Sequence, residues 1–458
     1  MFAPHPHARR LAPVALGVCM LLASVPSMAQ LAGEVEFSRG VGFAQTPGQS
    51  PRTLGKGLKL QEGDRLTTAD GSSAIVKLAD GTRMTIRPNS ELVLQQYQFK
   101  ENATDNSMLM QLVRGGFRAI TGLISKGSPN AARVQTNTAT IGIRGTDFDA
   151  RVCAKDCATE SAKVTETSKP NTVLASAKVV AAEGKLSAVD GAGHRRALVD
   201  GGSIYPGDLV ETEKGTKAVL AFRDESRVTL GSSTRFRVDN FVFDEKNATE
   251  GRFLMSILRG SVRALTGLIA KVNNRNVSFS TSTATIGIRG TGVDINCTGA
   301  CAGEPGGADS GLSLFTWLGS IAVTQQGQTA LQILQAGQGL FISPSGIRAI
   351  SSQPPSDGPR PDQVDVPDKL FLTGGASGDE EGLFVFVRDG HIEVATKGEI
   401  LQLGRGETGF AGNNGEVGRP ANIPKFIEFD KLPLPDSKNP LLVSVLADAG
   451  IKPSNQCK

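Results

Sequence analysis

At 458 residues with 54 glycines, one Trp and two Tyr, the chain has room for two or three domains but is too glycine-rich for a long helical protein. Apolar residues make up 39%, enough for a packed core, which excludes general disorder. With 49 basic against 45 acidic residues, the net charge is too small for a nucleic-acid binder held by counterion release.

Residues 1–29 read as a cleavable signal peptide. Arg9 and Arg10 precede an apolar stretch from Leu11 to Val25, and the small residues Ser27 and Ala29 stand at −3 and −1 of a cut before Gln30. A membrane span needs about 20 apolar residues, and no later stretch reaches that length. The mature chain is therefore expected to be periplasmic or secreted, with no transmembrane segment.

Residues 30–200 and 201–345 read as two copies of one unit. TATIGIRGT at Thr138–Thr146 recurs unchanged at Thr283–Thr291, and Arg114–Lys126 resembles Arg259–Lys271. Gly63-Asp64 reappears as Gly207-Asp208. Within each unit the apolar spacing is mostly two, as in Ala74, Val76 and Leu78, with Asp80-Gly81 as a tight turn. In the TATIGIRGT strand Ala139, Ile141 and Ile143 share one face. Phe117, Ile120, Leu123 and Ile124, mirrored by Val262, Leu265, Leu268 and Ile269, have instead the spacing of one or two helical turns. Trp317, in an apolar run, is expected in the core.

Export places the cysteines in an oxidising compartment. Cys153 and Cys157, and Cys297 and Cys301, form two C-x-x-x-C pairs for which a disulfide in each is favoured. A metal is the alternative, but two thiols need two more ligands, and the mature chain has only His194 and His391, neither near a pair in sequence. Cys457 is the odd thiol. No metal or other cofactor is expected.

After the second unit, 351–370 reads as a proline-rich linker, 371–423 as a partial β repeat and 424–458 as a C-terminal tail. Short glycine-bounded strand pairs at Gly33, Gly184, Gly319 and Gly390 extend the repeat weakly. The fold class is all-β, with many short strands and glycine turns arranged as a sandwich, or as a roll or solenoid.

The run Gly63-Asp64, Thr68 to Ala74, Arg114-Gly115 and Thr136–Thr146 resembles the FecR-type periplasmic domain, and unit two repeats it at Gly207-Asp208, Arg259-Gly260 and Thr281–Thr291. The resemblance implies tandem all-β, roll-like or solenoid-like domains with short helical turns. It also implies a domain that receives a signal from an outer-membrane transporter; in the founding regulator this passes through a membrane helix to a sigma-factor-binding segment. The leader reading leaves this chain without that helix or cytoplasmic segment, so the resemblance supports the domain and not the circuit.

The motif residues Asp64, Arg144, Gly145, Thr146, Asp208, Arg289, Gly290 and Thr291 are read mainly as structural. The glycines suit bulges or close backbone approach. Arg144 and Arg289 suit either a buried ion pair with Asp64 or Asp208, or a carboxylate ligand. No nucleophile elbow, zinc-protease or phosphate-loop pattern appears, so a non-enzymatic role is expected. The leading expectation is an envelope module that docks an envelope or membrane protein by strand addition. The alternative is a secreted structural or adhesive protein that binds surface polysaccharide.

Overall fold

The computed structural model describes residues 31–428 except 128–130, 308, 355 and 375–379. The leader read at 1–29, Cys457 and the tail from 429 onward lie outside the described residues.

The described chain is all-β: two sheets of 15 strands each, with short helices between strands. The second sheet is continuous in sequence, from Ala177–Glu183 to Gly346–Ile350. The first is not. Its strands run from Leu31–Arg39 to Thr140–Cys153, and four more come from 382–418, beyond the whole second sheet. The segment read as a partial repeat thus supplies the closing strands of the first sheet, and the second unit is inserted between them and the rest.

Six strands of 14 residues organise the two sheets. They are β1 (Ser107–Ile120), β2 (Thr140–Cys153), β3 (Arg252–Leu265), β4 (Ala284–Cys297), β5 (Leu312–Gln325) and β6 (Gly382–Ala395). In the first sheet β2 lies between β1 and β6; in the second β4 lies between β3 and β5. The registers match: Thr140 pairs with Ala395 and Cys153 with Gly382, as Ala284 pairs with Gln325 and Cys297 with Leu312. Each long strand changes partner midway, where a bulge bends it. The bends fall at glycines of positive φ, among them Gly145 and Gly390 in the first sheet and Gly290 and Gly319 in the second. A Cβ on Gly390 or Gly319 would collide with the carbonyl oxygen of Gly145 or Gly290 respectively, so only glycine lets the bent strands cross this closely. Bending folds each sheet over its own apolar face, giving a roll in each unit.

The alternating residues fill these rolls. Ala139, Ile141 and Ile143 are buried in the first core, and Ala284, Ile286 and Ile288 in the second. Phe117 packs edge-on against Phe148 at 5.6 Å. The stretch with helical spacing is divided: Phe117 and Ile120 end β1, and only Ile124–Gly127 is helical, with Leu123 exposed. Its counterpart splits likewise into β3 and the helix Leu268–Val272. Strand pairing to Arg83–Ile86 and Arg227–Leu230 overrides the local spacing. Trp317 is only half-buried, because the register shift beside Gly292 turns it to the outer face, where the Arg360 guanidinium stacks 4.2 Å from its ring.

Candidate functional site

The Thr of each RGT step closes a backbone clasp. Thr146 Oγ1 donates to the carbonyl of His391 at 2.8 Å, and its amide donates to Thr121 Oγ1 at 2.8 Å. Thr291 repeats this with Ser320 and Thr266, at 2.7 and 2.9 Å. These bonds hold the long strands together at their bends. The side chains of Arg144 and Arg289 form no ion pair among the described residues, and the two repeated aspartates have other partners. Asp64 accepts from Arg52, Thr46 and the amide of Gln61 at 2.6, 2.7 and 2.9 Å. Asp208 accepts from Arg196 and from the amide of Tyr205. Cys153–Cys157 and Cys297–Cys301 are disulfide-bonded, across the start of the helix Asp156–Ala162 and across the 3-10 turn Gly299–Ala302.

Asp208 leads to a feature that sequence reasoning missed. Tyr205 beside it donates its backbone amide to Asp208 and accepts at its hydroxyl from the amide of Arg405, 2.9 Å away, while the Arg405 guanidinium lies 4.6 Å from its ring. Here the start of the second unit meets the closing strands of the first. Lys178, fully buried, donates to Glu407 at 2.9 Å and to the carbonyl of Gln402 at 2.8 Å. Arg419, also buried, donates to the same Glu407 oxygen at 2.8 Å and again to the Gln402 carbonyl. Burial would raise the Glu407 pKa, but the two cations hold it below the usual range. Burial draws Lys178 down to about 8 against the pull of Glu407. Burial, with the charges of Lys178 and Arg144, pushes His391 down to about 3, so this imidazole is neutral near pH 7. Charges this deeply buried persist only because they are paired. Lys178 and Glu407 are separated by 229 positions, so no local pattern could have pointed to them.

The junction covers the Gln402–Gly404 end of the strand Ile400–Gly404, which pairs with β6, and leaves Ile400 exposed. A Cβ on Gly404 would collide with Ser203 Oγ, so the second unit sits directly on it. The equivalent strand of the second unit, Leu331–Gln335, pairs with β5 in the same register. Among the described residues nothing else pairs with it, and Leu331 and Ile333 are 54% and 47% exposed. At Ile333 the second unit therefore presents, exposed and apolar, the position that Gln402 holds in the first, where Lys178 and Arg419 cap the carbonyl; Leu331 and its equivalent Ile400 are both exposed. Among the described residues no group of His, Cys, Asp and Glu could hold a metal ion, and no helix is long and apolar enough to cross a membrane.

These features define a tandem, disulfide-bearing β-roll protein whose repeated motif serves the strand crossings. The model of the FecR protein family matches residues 64–168 and 208–302, one stretch in each roll, so the chain carries two FecR-type units. Both matches start at the paired aspartates and stop short of β5 and β6. Two crystal structures of a candidate anti-sigma factor from Parabacteroides distasonis ATCC 8503, at 1.65 and 2.50 Å resolution, are similar to this chain at 14% identity and a TM-score of 0.24. The similarity covers 31% of this chain and 59% of those chains. No curated protein matches the chain.

Proposed function

We propose that the protein is a non-enzymatic, exported envelope module that docks a protein partner in signalling or envelope assembly, and that the partner covers the strand Leu331–Gln335. The observation that carries the reading is the unequal fate of two equivalent positions: the Gln402 carbonyl is held by Lys178 and Arg419, whereas Ile333, which stands at the same register in the second unit, is exposed. An open strand with exposed apolar side chains is suited to strand addition by another chain. The two FecR-type units support a signalling role, since the founding member of that family receives a signal from a protein partner. The paired cysteines are consistent with export.

In-cell cross-linking of the tagged native protein, followed by mass spectrometry, tests the reading. One dominant envelope protein should be captured, and Leu331→Asp with Ile333→Asp should lower its capture at least about tenfold with little change in thermal stability, as expected for exposed positions. Capture of glycan alone, or of an envelope protein at undiminished yield in the variant, would refute the proposed surface.

A further inference from the structure

Part of the segment read as a linker is bound by the outer face of the second unit. Arg263 Nη1 donates to the carbonyl of Gly358 at 3.0 Å, Thr229 Oγ1 to that of Pro359 at 3.0 Å, and Arg227 Nη1 to that of Val364 at 2.8 Å. A Cβ on Gly358 would overlap the Thr229 methyl at 2.4 Å, so the linker backbone rests directly on the sheet. Donors aimed at carbonyls suit a segment in which prolines have removed amide donors. Arg360, between Pro359 and Pro361, has φ −67° and ψ 135°, the polyproline II conformation that such a segment holds before it binds.

The arginine has a prepared seat. Asp294 accepts from Arg263 Nε at 3.0 Å, from Trp317 Nε1 at 3.1 Å and from Gln353 of the linker at 2.6 Å. A Cβ on Gly292 would lie 2.4 Å from the indole, so the ring lies over that glycine. The ring so fixed receives the Arg360 guanidinium 4.2 Å from its centre, and Asp362 holds that guanidinium at 3.1 and 3.0 Å. In the first unit Asp147 and Arg388 stand at the positions of Gly292 and Trp317, and Arg388 donates to Asp149. The first roll makes the same strand crossing without a Trp platform, so the platform is not there to build the roll.

The occupant is held lightly. Residues 356–364 add no strand to the sheet, and of them only Pro361 is buried. We infer that this face is a recognition site for an extended peptide with an arginine between prolines, occupied in cis by residues 356–364, and that a partner's segment of the same kind can take their place. The tethered linker competes at roughly millimolar effective concentration, so it keeps the site closed to dilute peptides and yields to a partner held close by.

A fluorescein-labelled peptide of residues 356–364, titrated with the full mature chain and followed by anisotropy, tests this. The chain carrying Arg360→Gly with Pro361→Gly should bind the peptide at least about tenfold more tightly than the native chain does, because a site closed in about nine molecules of ten shows only about a tenth of its affinity. In that variant, unlabelled peptide should also restore the native emission of Trp317, the single Trp of the chain. A peptide with Arg360→Glu should bind the native chain at least about fivefold more weakly than the parent peptide. This last comparison uses the native chain, so it stands if the linker variant fails to fold. Equal affinity for the native chain and a folded variant would place the peptide elsewhere and overturn the inference. So would undiminished binding of the Arg360→Glu peptide, or no binding to either chain.

Discussion

Replacing Glu407 by Gln should separate the buried charges of the junction by rank. Lys178, Glu407 and Arg419 are each at most 1% exposed, and one carboxylate oxygen accepts from both cations, at 2.9 and 2.8 Å. The amide would leave two buried cations without a counter-charge. Arg419 cannot release its proton, but Lys178 is already drawn down to about 8 and would lose the partner that opposes the drop. Neutralising at pH 7 a lysine whose unfolded pKa is about 10.4 costs at most about 5 kcal/mol. Removing one partner of a buried pair costs roughly 3–5 kcal/mol, so Glu407→Gln should fall in that range. Lys178→Met leaves Glu407 bonded to Arg419 and should cost only about 1–2 kcal/mol. The penalty of Glu407→Gln should also shrink as pH rises. In the variant the folded lysine is neutral at pH 7 while the unfolded one is charged, and the difference fades as the unfolded group approaches its own pKa. The native protein gains the same relief only above about 8, so the gap between variant and native protein should narrow by about 1 kcal/mol between pH 7 and 9. Urea unfolding at both pH values, followed by circular dichroism and by the fluorescence of the single Trp, measures this. Equal costs for the two substitutions, or a gap independent of pH, would refute the reasoning.

Two further outcomes follow from the clasps and from His391. Thr146→Val strips the buried His391 carbonyl of its side-chain donor, and Thr291→Val does the same to Ser320, so each should cost about 1–3 kcal/mol in urea unfolding; a loss confined to one unit would mean that the two clasps are not equivalent. His391 titrates near 3 when folded and near 6.5 when unfolded, so its neutral form is fully compatible with folding above pH 6.5, and stability should fall as pH drops from there towards 3. The loss should reach about 2 kcal/mol at pH 5 relative to pH 7 and be absent in His391→Asn, as read from urea midpoints.

The junction and the contacts of the linker with the second unit differ in how they could be read from the chain. Arg227, Thr229 and Arg263, which donate to the carbonyls of Val364, Pro359 and Gly358, have counterparts of the same type in the first copy, Arg83, Thr85 and Arg118. The repeated letters are visible in the sequence, but only the structure shows that those of the second unit hold the segment 358–364. Lys178, Glu407 and Arg419 have no counterparts that would mark them: Glu34 stands at the register position of Lys178 in the first unit, and Ile333 at that of Gln402 in the second. Arg144 and Arg289 are invariant between the copies without pairing to Asp64 or Asp208, since Arg52 and Arg196, from neighbouring strands, reach those aspartates first.

Two copies, short strands turning at glycines, and a favoured disulfide after each TATIGIRGT strand were all legible in the letters. These are properties of local spacing and of repetition, and both are written in the order of the letters. That β2 pairs with β6 across the entire second unit emerges from the fold alone, and it makes the apparent partial repeat at Gly390 the missing edge of the first roll. A strand's alternation states which side faces the core. Its hydrogen-bonding edges, however, are backbone amides and carbonyls, the same in every residue but proline, so its partner is settled by which apolar faces can be closed together.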